Sequence, residues 1–75
     1  MSFDKELDAS GLSCPLPIVK TKKALNDMAS GQILKIISTD RGSIADMAAF
    51  AEQTGNSLVS SSEEAGKYVF MMKKG

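Results

Sequence analysis

The chain has 75 residues, enough for one domain and too few to divide, so residues 1–75 are read as a single unit. Nine basic and nine acidic residues cancel, which argues against direct nucleic-acid binding, and the absence of histidine removes the usual metal ligand and the usual base near neutral pH. One cysteine excludes an intramolecular disulfide, and no apolar run approaches the length of a membrane span.

Met1 to Glu6 is mixed and charged, unlike a signal peptide, so a soluble cytoplasmic protein with no membrane partner is expected. Glu6-Leu7-Asp8-Ala9 reads as a short first strand, turning at Ser10-Gly11. Pro15 reads as the first residue of a helix, because its missing N–H would have no partner there, and Cys14 then takes the N-cap. Ile18, Thr21, Leu25 and Met28 lie on one face of this helix, with Lys20, Lys23 and Asp27 opposite and Ser30-Gly31 as its stop. Gln32 to Thr39 holds the run Ile33-Leu34-Lys35-Ile36-Ile37, apolar on both faces, as a central strand should be. Asp40-Arg41-Gly42 turns the chain. Ser43 reads as an N-cap, with Asp46 three residues on, close to a capping box. Ile44, Met47, Phe50 and Ala51 form the apolar face of the second helix, which ends at Gly55. Ser57 to Ser61 is a weaker strand, Glu63-Glu64-Ala65-Gly66 a polar turn, and Lys67 to Lys73 the closing strand.

The order is β-α-β-α-β-β. Two βα units imply parallel neighbours, and right-handed crossovers put both helices on one face. The expected fold is therefore α+β, a two-layer α/β sandwich with a four-stranded mixed sheet. One side of that sheet stays uncovered. On the last strand the more apolar row, Tyr68-Phe70-Met72, is assigned to the core, and Val69-Met71-Lys73 to the open face.

Cys14 is the candidate reactive residue. Its setting, Gly11-Leu12-Ser13 before and Pro15-Leu16-Pro17 after, puts the sulfur at a helix mouth. There the dipole and the free N–H groups of the first turn favour thiolate, while Pro15 and Pro17 stiffen that turn. The competing reading is a small buried hydrophobe, the commonest fate of a free cysteine. Parallel strands one and two bring Asp40, Arg41 and Ser43 to the same sheet edge as Cys14, where ligands of open α/β sheets tend to bind. Arg41 would stabilise a thiolate, and Asp40 would oppose it or dock a basic partner; the alternatives are a solvated side chain and a turn residue. Lys20, Lys22 and Lys23 form a basic patch, either a solvated face or a dock for an acidic partner.

The run Leu7-Asp8-Ala9-Ser10-Gly11-Leu12-Ser13-Cys14-Pro15-Leu16-Pro17 resembles the signature of the TusA/SirA-like sulfur-carrier family, which has a Cys-Pro-X-Pro motif after a first strand. The likeness extends to the Gly31 turn, the Thr39-Asp40 strand end and the closing Tyr68-Val69-Phe70 strand. It implies the same two-layer fold, shared with the C-terminal domain of a translation initiation factor. It also implies a sulfurtransferase-type carrier, which holds sulfane sulfur as a persulfide on Cys14. The sulfur would come from a rhodanese-like protein or a cysteine desulfurase and pass to an acceptor protein. Whether such a chain acts as an enzyme or as a protein substrate stays open. The family's acidic residue at Asp40 implies partner contact; Arg41 stands where relatives often have proline and inherits no role. Leu16, where some tRNA-thiolation members carry an acid, leans the reading slightly toward sulfur-oxidising metabolism. No second cysteine is present to resolve a persulfide, which argues against a thioredoxin-like oxidoreductase. The rival class is a non-catalytic protein- or RNA-binding module with a redox-sensitive thiol.

Overall fold

The computed structural model describes residues 3–75, in the order β1 (Lys5–Ala9), α1 (Leu16–Asn26), β2 (Ile33–Ser38), α2 (Ser43–Thr54), β3 (Ser57–Glu64) and β4 (Lys67–Lys73). The sheet runs β1-β2-β4-β3; β1 is parallel to β2, and β4 is antiparallel to both β2 and β3. The fold is α+β, with a four-stranded mixed sheet. Both helices cover one face, α1 over β1 and β2 and α2 over β3 and β4.

The register shows how the core forms. Leu7 stands beside Ile36, and Ile36 beside Phe70, so alternate residues of three strands point toward the helices. Leu34, Ile36, Phe70 and Met72 are fully buried there, against Met47 and Ala51 of α2 and Ala24 and Leu25 of α1. Tyr68 packs on the same cluster, so the Tyr68-Phe70-Met72 row faces inward as expected. Met71, on the opposite row, is nevertheless buried, flanked in register by Lys35 and Ser60.

Several local expectations shift. Helix α1 begins at Leu16, with Pro15 at the N-cap and Pro17 inside the first turn, so Cys14 lies one residue before the cap. Its buried stripe is Pro17, Thr21, Ala24 and Leu25; Ile18 is only half-buried. The Thr21 hydroxyl donates to the Pro17 carbonyl at 2.8 Å, which satisfies it inside the core. The helix stops at Asn26, before Ser30-Gly31, and a lysine terminates it: Lys74 Nζ donates to the carbonyls of Leu25 (2.6 Å) and Met28 (2.7 Å).

Ser43 is the first residue of α2, not its cap. Its hydroxyl is buried and paired with Ser38 Oγ at 2.7 Å, while Gly42 takes the cap position. Ile44 is exposed, and the apolar face rests on Met47, Ala51 and the half-buried Phe50. Gly55 closes α2 in the left-handed conformation, φ 76°. Strand β3 runs on through Glu64, because the hairpin needs just two turn residues. Ala65 (φ 50°) and Gly66 (φ 79°) both have positive φ, as a type I′ turn requires.

Candidate functional site

The loops after β1 and β2 leave the sheet side by side and are stitched together. The Gly11 N–H donates to Thr39 Oγ1 at 2.8 Å, and the Cys14 N–H to Asp40 Oδ2 at 2.7 Å. The other Asp40 oxygen accepts the Gly42 N–H at 3.2 Å, so this one carboxylate clasps the cysteine loop and the turn into α2. Within its own loop, Ser10 donates its N–H to Asp8 Oδ1 at 3.0 Å, and Leu12 donates its N–H to the Ala9 carbonyl at 3.2 Å. The sulfur itself is exposed, ruling out the small buried hydrophobe.

The Cys14 thiol donates to Asp46 Oδ2 at 2.9 Å. Asp46 lies in the first turn of α2. This contact reverses the electrostatics that a helix mouth suggests. The Cys14 pKa is raised above the ordinary thiol value, first by the hydrogen bond to Asp46, then by desolvation and by the charges of Asp46 and Asp40. The backbone donors that were to favour thiolate are engaged elsewhere: the Leu16 N–H donates to the Ser13 carbonyl, and those of Ile18 and Val19 to the Pro15 carbonyl. A helix N-terminus stabilises an anion only through N–H groups aimed at it.

Beside the thiol lies an open cavity of about 250 Å³ between the two helices, lined by Cys14, Pro15, Ile18, Asp46, Ala49, Phe50 and Gln53. Its walls are mainly apolar, and Asp46 carries its one charged side chain. Of the residues expected at this edge, Cys14 and Asp40 come together as predicted. Ser43 turns into the core, and Arg41 is exposed with no ion pair among the described residues. Lys20 and Lys23 are exposed but line a different cleft, with Lys5, Leu7 and Asp27, and Lys22 lines a third. None of the three lysines lines the cavity beside the thiol. Among the described residues no group of three or more Cys, Asp or Glu side chains converges as a metal site would.

Asp46 is the site residue that sequence reasoning missed. Its spacing from Ser43 suggested a capping box, which hid its other property. The first turn of α2 opens at the same sheet edge as the cysteine loop, so an acid there can reach the sulfur.

Residues 5–74 match the family described as Sulfurtransferase TusA. The sulfur carrier protein TusA of Allochromatium vinosum is 62% identical over 72 residues, covering 96% of this chain and 95% of that protein. A putative sulfur carrier protein, YrkI of Bacillus subtilis, is 45% identical over 75 residues and spans both chains completely. In fold, the chain is similar to the crystal structure of a SirA-like protein from Desulfitobacterium hafniense, with a TM-score of 0.84 at 23% identity, covering 96% of this chain and 99% of that one.

Proposed function

The chain belongs to the TusA family, and on that premise we propose that it is a sulfur carrier whose one domain, residues 1–75, relays sulfane sulfur on Cys14. The observation that carries this reading is the single cysteine, exposed at the carboxyl edge of the parallel strands and beside an apolar opening that a partner can enter. A donor protein presents a persulfide, R–S–S–H. Cys14 Sγ attacks its outer sulfur, the donor S–S bond breaks, and the thiol proton of Cys14 leaves with the donor as R–S–H. The product is Cys14–S–S–H, and no net oxidation occurs. An acceptor thiol then attacks the outer sulfur and Cys14 returns to the thiol. With no second cysteine in the chain, the persulfide has no internal thiol to attack it and release sulfide.

Pro15 and Pro17 stiffen the backbone that presents the sulfur. The donor is a rhodanese-like protein or a cysteine desulfurase, and the acceptor a protein thiol. The cytoplasm suits a thiol that must stay reduced between cycles. Lys20 and Lys23 lie on the flank of α1, where they serve as a docking edge for an acidic partner rather than as part of the sulfur site. Asp40 contributes to partner contact chiefly by fixing the loop that the partner meets.

Intact-protein mass spectrometry tests this after incubation with a cysteine desulfurase and cysteine, or with a rhodanese and thiosulfate. The expected result is a gain of one sulfur, reversed by reductant and absent in Cys14→Ser. The donor that loads faster separates tRNA thiolation from sulfur-oxidising metabolism. No gain from either donor, with Cys14 still open to alkylation, would reject the carrier and favour a binding module.

A further inference from the structure

The carboxylate of Asp46 has one hydrogen-bond partner among the described residues, and that partner is the thiol. Asp40 differs: both of its oxygens are committed to backbone donors. The only ion pair among the described residues is Lys5–Asp27, on another part of the surface, so no cation among the described residues pairs with Asp46. Resting on the carrier reading, we propose that Asp46 is a specificity-determining residue that restrains sulfur exchange at Cys14, and that donor and acceptor proteins lift the restraint by placing a lysine or arginine side chain against it in the cavity beside the thiol.

The restraint works on both halves of the cycle. The thiolate is the nucleophile, and a carboxylate accepting the S–H proton stabilises the thiol instead. In the loaded protein Cys14 is the leaving group, and a thiol of higher pKa leaves more slowly. Small thiols and stray electrophiles therefore meet a sluggish sulfur. The charged groups that face the sulfur are Asp46 from α2 and Asp40 from the turn after β2, and both act in the same sense. Helix α1 offers none, since its first turn is Leu16, Pro17 and Ile18. A partner's cation entering this apolar cavity would pair with Asp46, withdraw the acceptor from the thiol and favour thiolate. The proton then passes to the departing thiolate, so the exchange balances as written above.

The test compares wild type, Asp46→Asn and Asp46→Ser, the second polar variant guarding against an effect peculiar to the amide. The rate of Cys14 alkylation by iodoacetamide is followed against pH. Both variants are expected to move the midpoint down. Each unit of that movement raises the thiolate fraction at neutral pH about tenfold and lowers its nucleophilicity about threefold, a net gain of roughly three- to fourfold. Separately, each protein is loaded with inorganic polysulfide and stripped with cyanide, which converts Cys14–S–S–H to thiol and thiocyanate. Faster stripping of both variants is expected, together with a smaller advantage of the protein donor over polysulfide in loading. An unmoved or raised midpoint, or stripping no faster than wild type, overturns the proposal. A wild-type protein that accepts no sulfur from any protein donor defeats the carrier reading instead; the alkylation profiles would still decide whether Asp46 restrains the thiol.

Discussion

Replacing Asp40 by alanine should loosen the sulfur site before it unfolds the protein. The side chain accepts the Cys14 N–H at 2.7 Å and the Gly42 N–H at 3.2 Å, so one truncation removes both ties. Hydrogen bonds to a charged group contribute about 1.5–3 kcal/mol each. Both bonds here are exposed, and water replaces part of what is lost, so the pair together is expected to cost about 1.5–3 kcal/mol. At about 0.05–0.15 kcal/mol per residue, a chain of 75 residues holds about 4–11 kcal/mol in total. A drop of this size lowers Tm by about 6–24 °C for so small a domain. Asp40→Asn keeps one carbonyl acceptor and should lie between alanine and wild type. Urea unfolding gives the free-energy change, and amide hydrogen exchange locates it. The Cys14 and Gly42 amides should lose protection, while those of β2 and β4 change only as global stability does. If Asp40→Ala stays within about 0.5 kcal/mol of wild type and the Cys14 amide keeps its protection, the clasp is not what fixes the cysteine loop.

Other expected outcomes follow from single features. Phe70→Ala empties the centre of the core, where the ring is fully buried, and should cost about 3–5 kcal/mol in urea unfolding, a large share of the total. Lys74→Met keeps the aliphatic stem but removes both ammonium hydrogen bonds, to the carbonyls of Leu25 and Met28, and should cost about 1.5–3 kcal/mol in the same assay. The alkylation midpoint of folded wild type should lie above that of the same chain in urea, because the Cys14 pKa is raised in the fold. The corresponding contribution to stability is fully present below the unfolded thiol pKa and is lost as pH rises through the folded one. Cys14→Ser should therefore flatten the decline of stability on the alkaline side of that range, read from urea midpoints against pH.

Much of the frame was legible because it depends on local pattern. The run from Ile33 to Ile37, β-branched-rich and apolar on both faces, reads as a central strand, and it sits between β1 and β4. The alternation on β4 assigned Phe70 and Met72 to the core without reference to any neighbour. What stayed hidden depends on side chains meeting across long sequence separations. Lys74 ends a helix that finished 48 residues earlier, at Asn26, and nothing in the sequence near Asn26 announces it. Ser43 carried the right residue type for a cap, but Ser38 offered its hydroxyl a buried partner instead. The same holds at the sulfur. Cys14 and the carrier motif could be read directly, yet the sign of the electrostatics could not, because it is set by Asp46, 32 residues away. A dipole inferred from one helix gave way to a carboxylate brought in by the other.

The position of β1 bears on how the sulfur site behaves in time. This strand has five residues, lies at the edge of the sheet and pairs with β2 alone, with Asp4 and Ile33 joining its start to the sheet through two bonds of 2.8 Å. Cys14 hangs from its far end, whereas Asp46 belongs to a helix packed over β3 and β4. Peeling β1 away, together with the Gly11–Thr39 and Cys14–Asp40 bonds that hold the loop after it, would carry the thiol from its carboxylate while the β2-β4-β3 part of the sheet stayed paired. The docking of this short strand and the Asp40 clasp on its loop therefore act together in keeping the thiol beside Asp46. A substitution at Leu7, whose side chain helps hold that strand to the core, would alter sulfur chemistry at a distance through local opening of the edge strand.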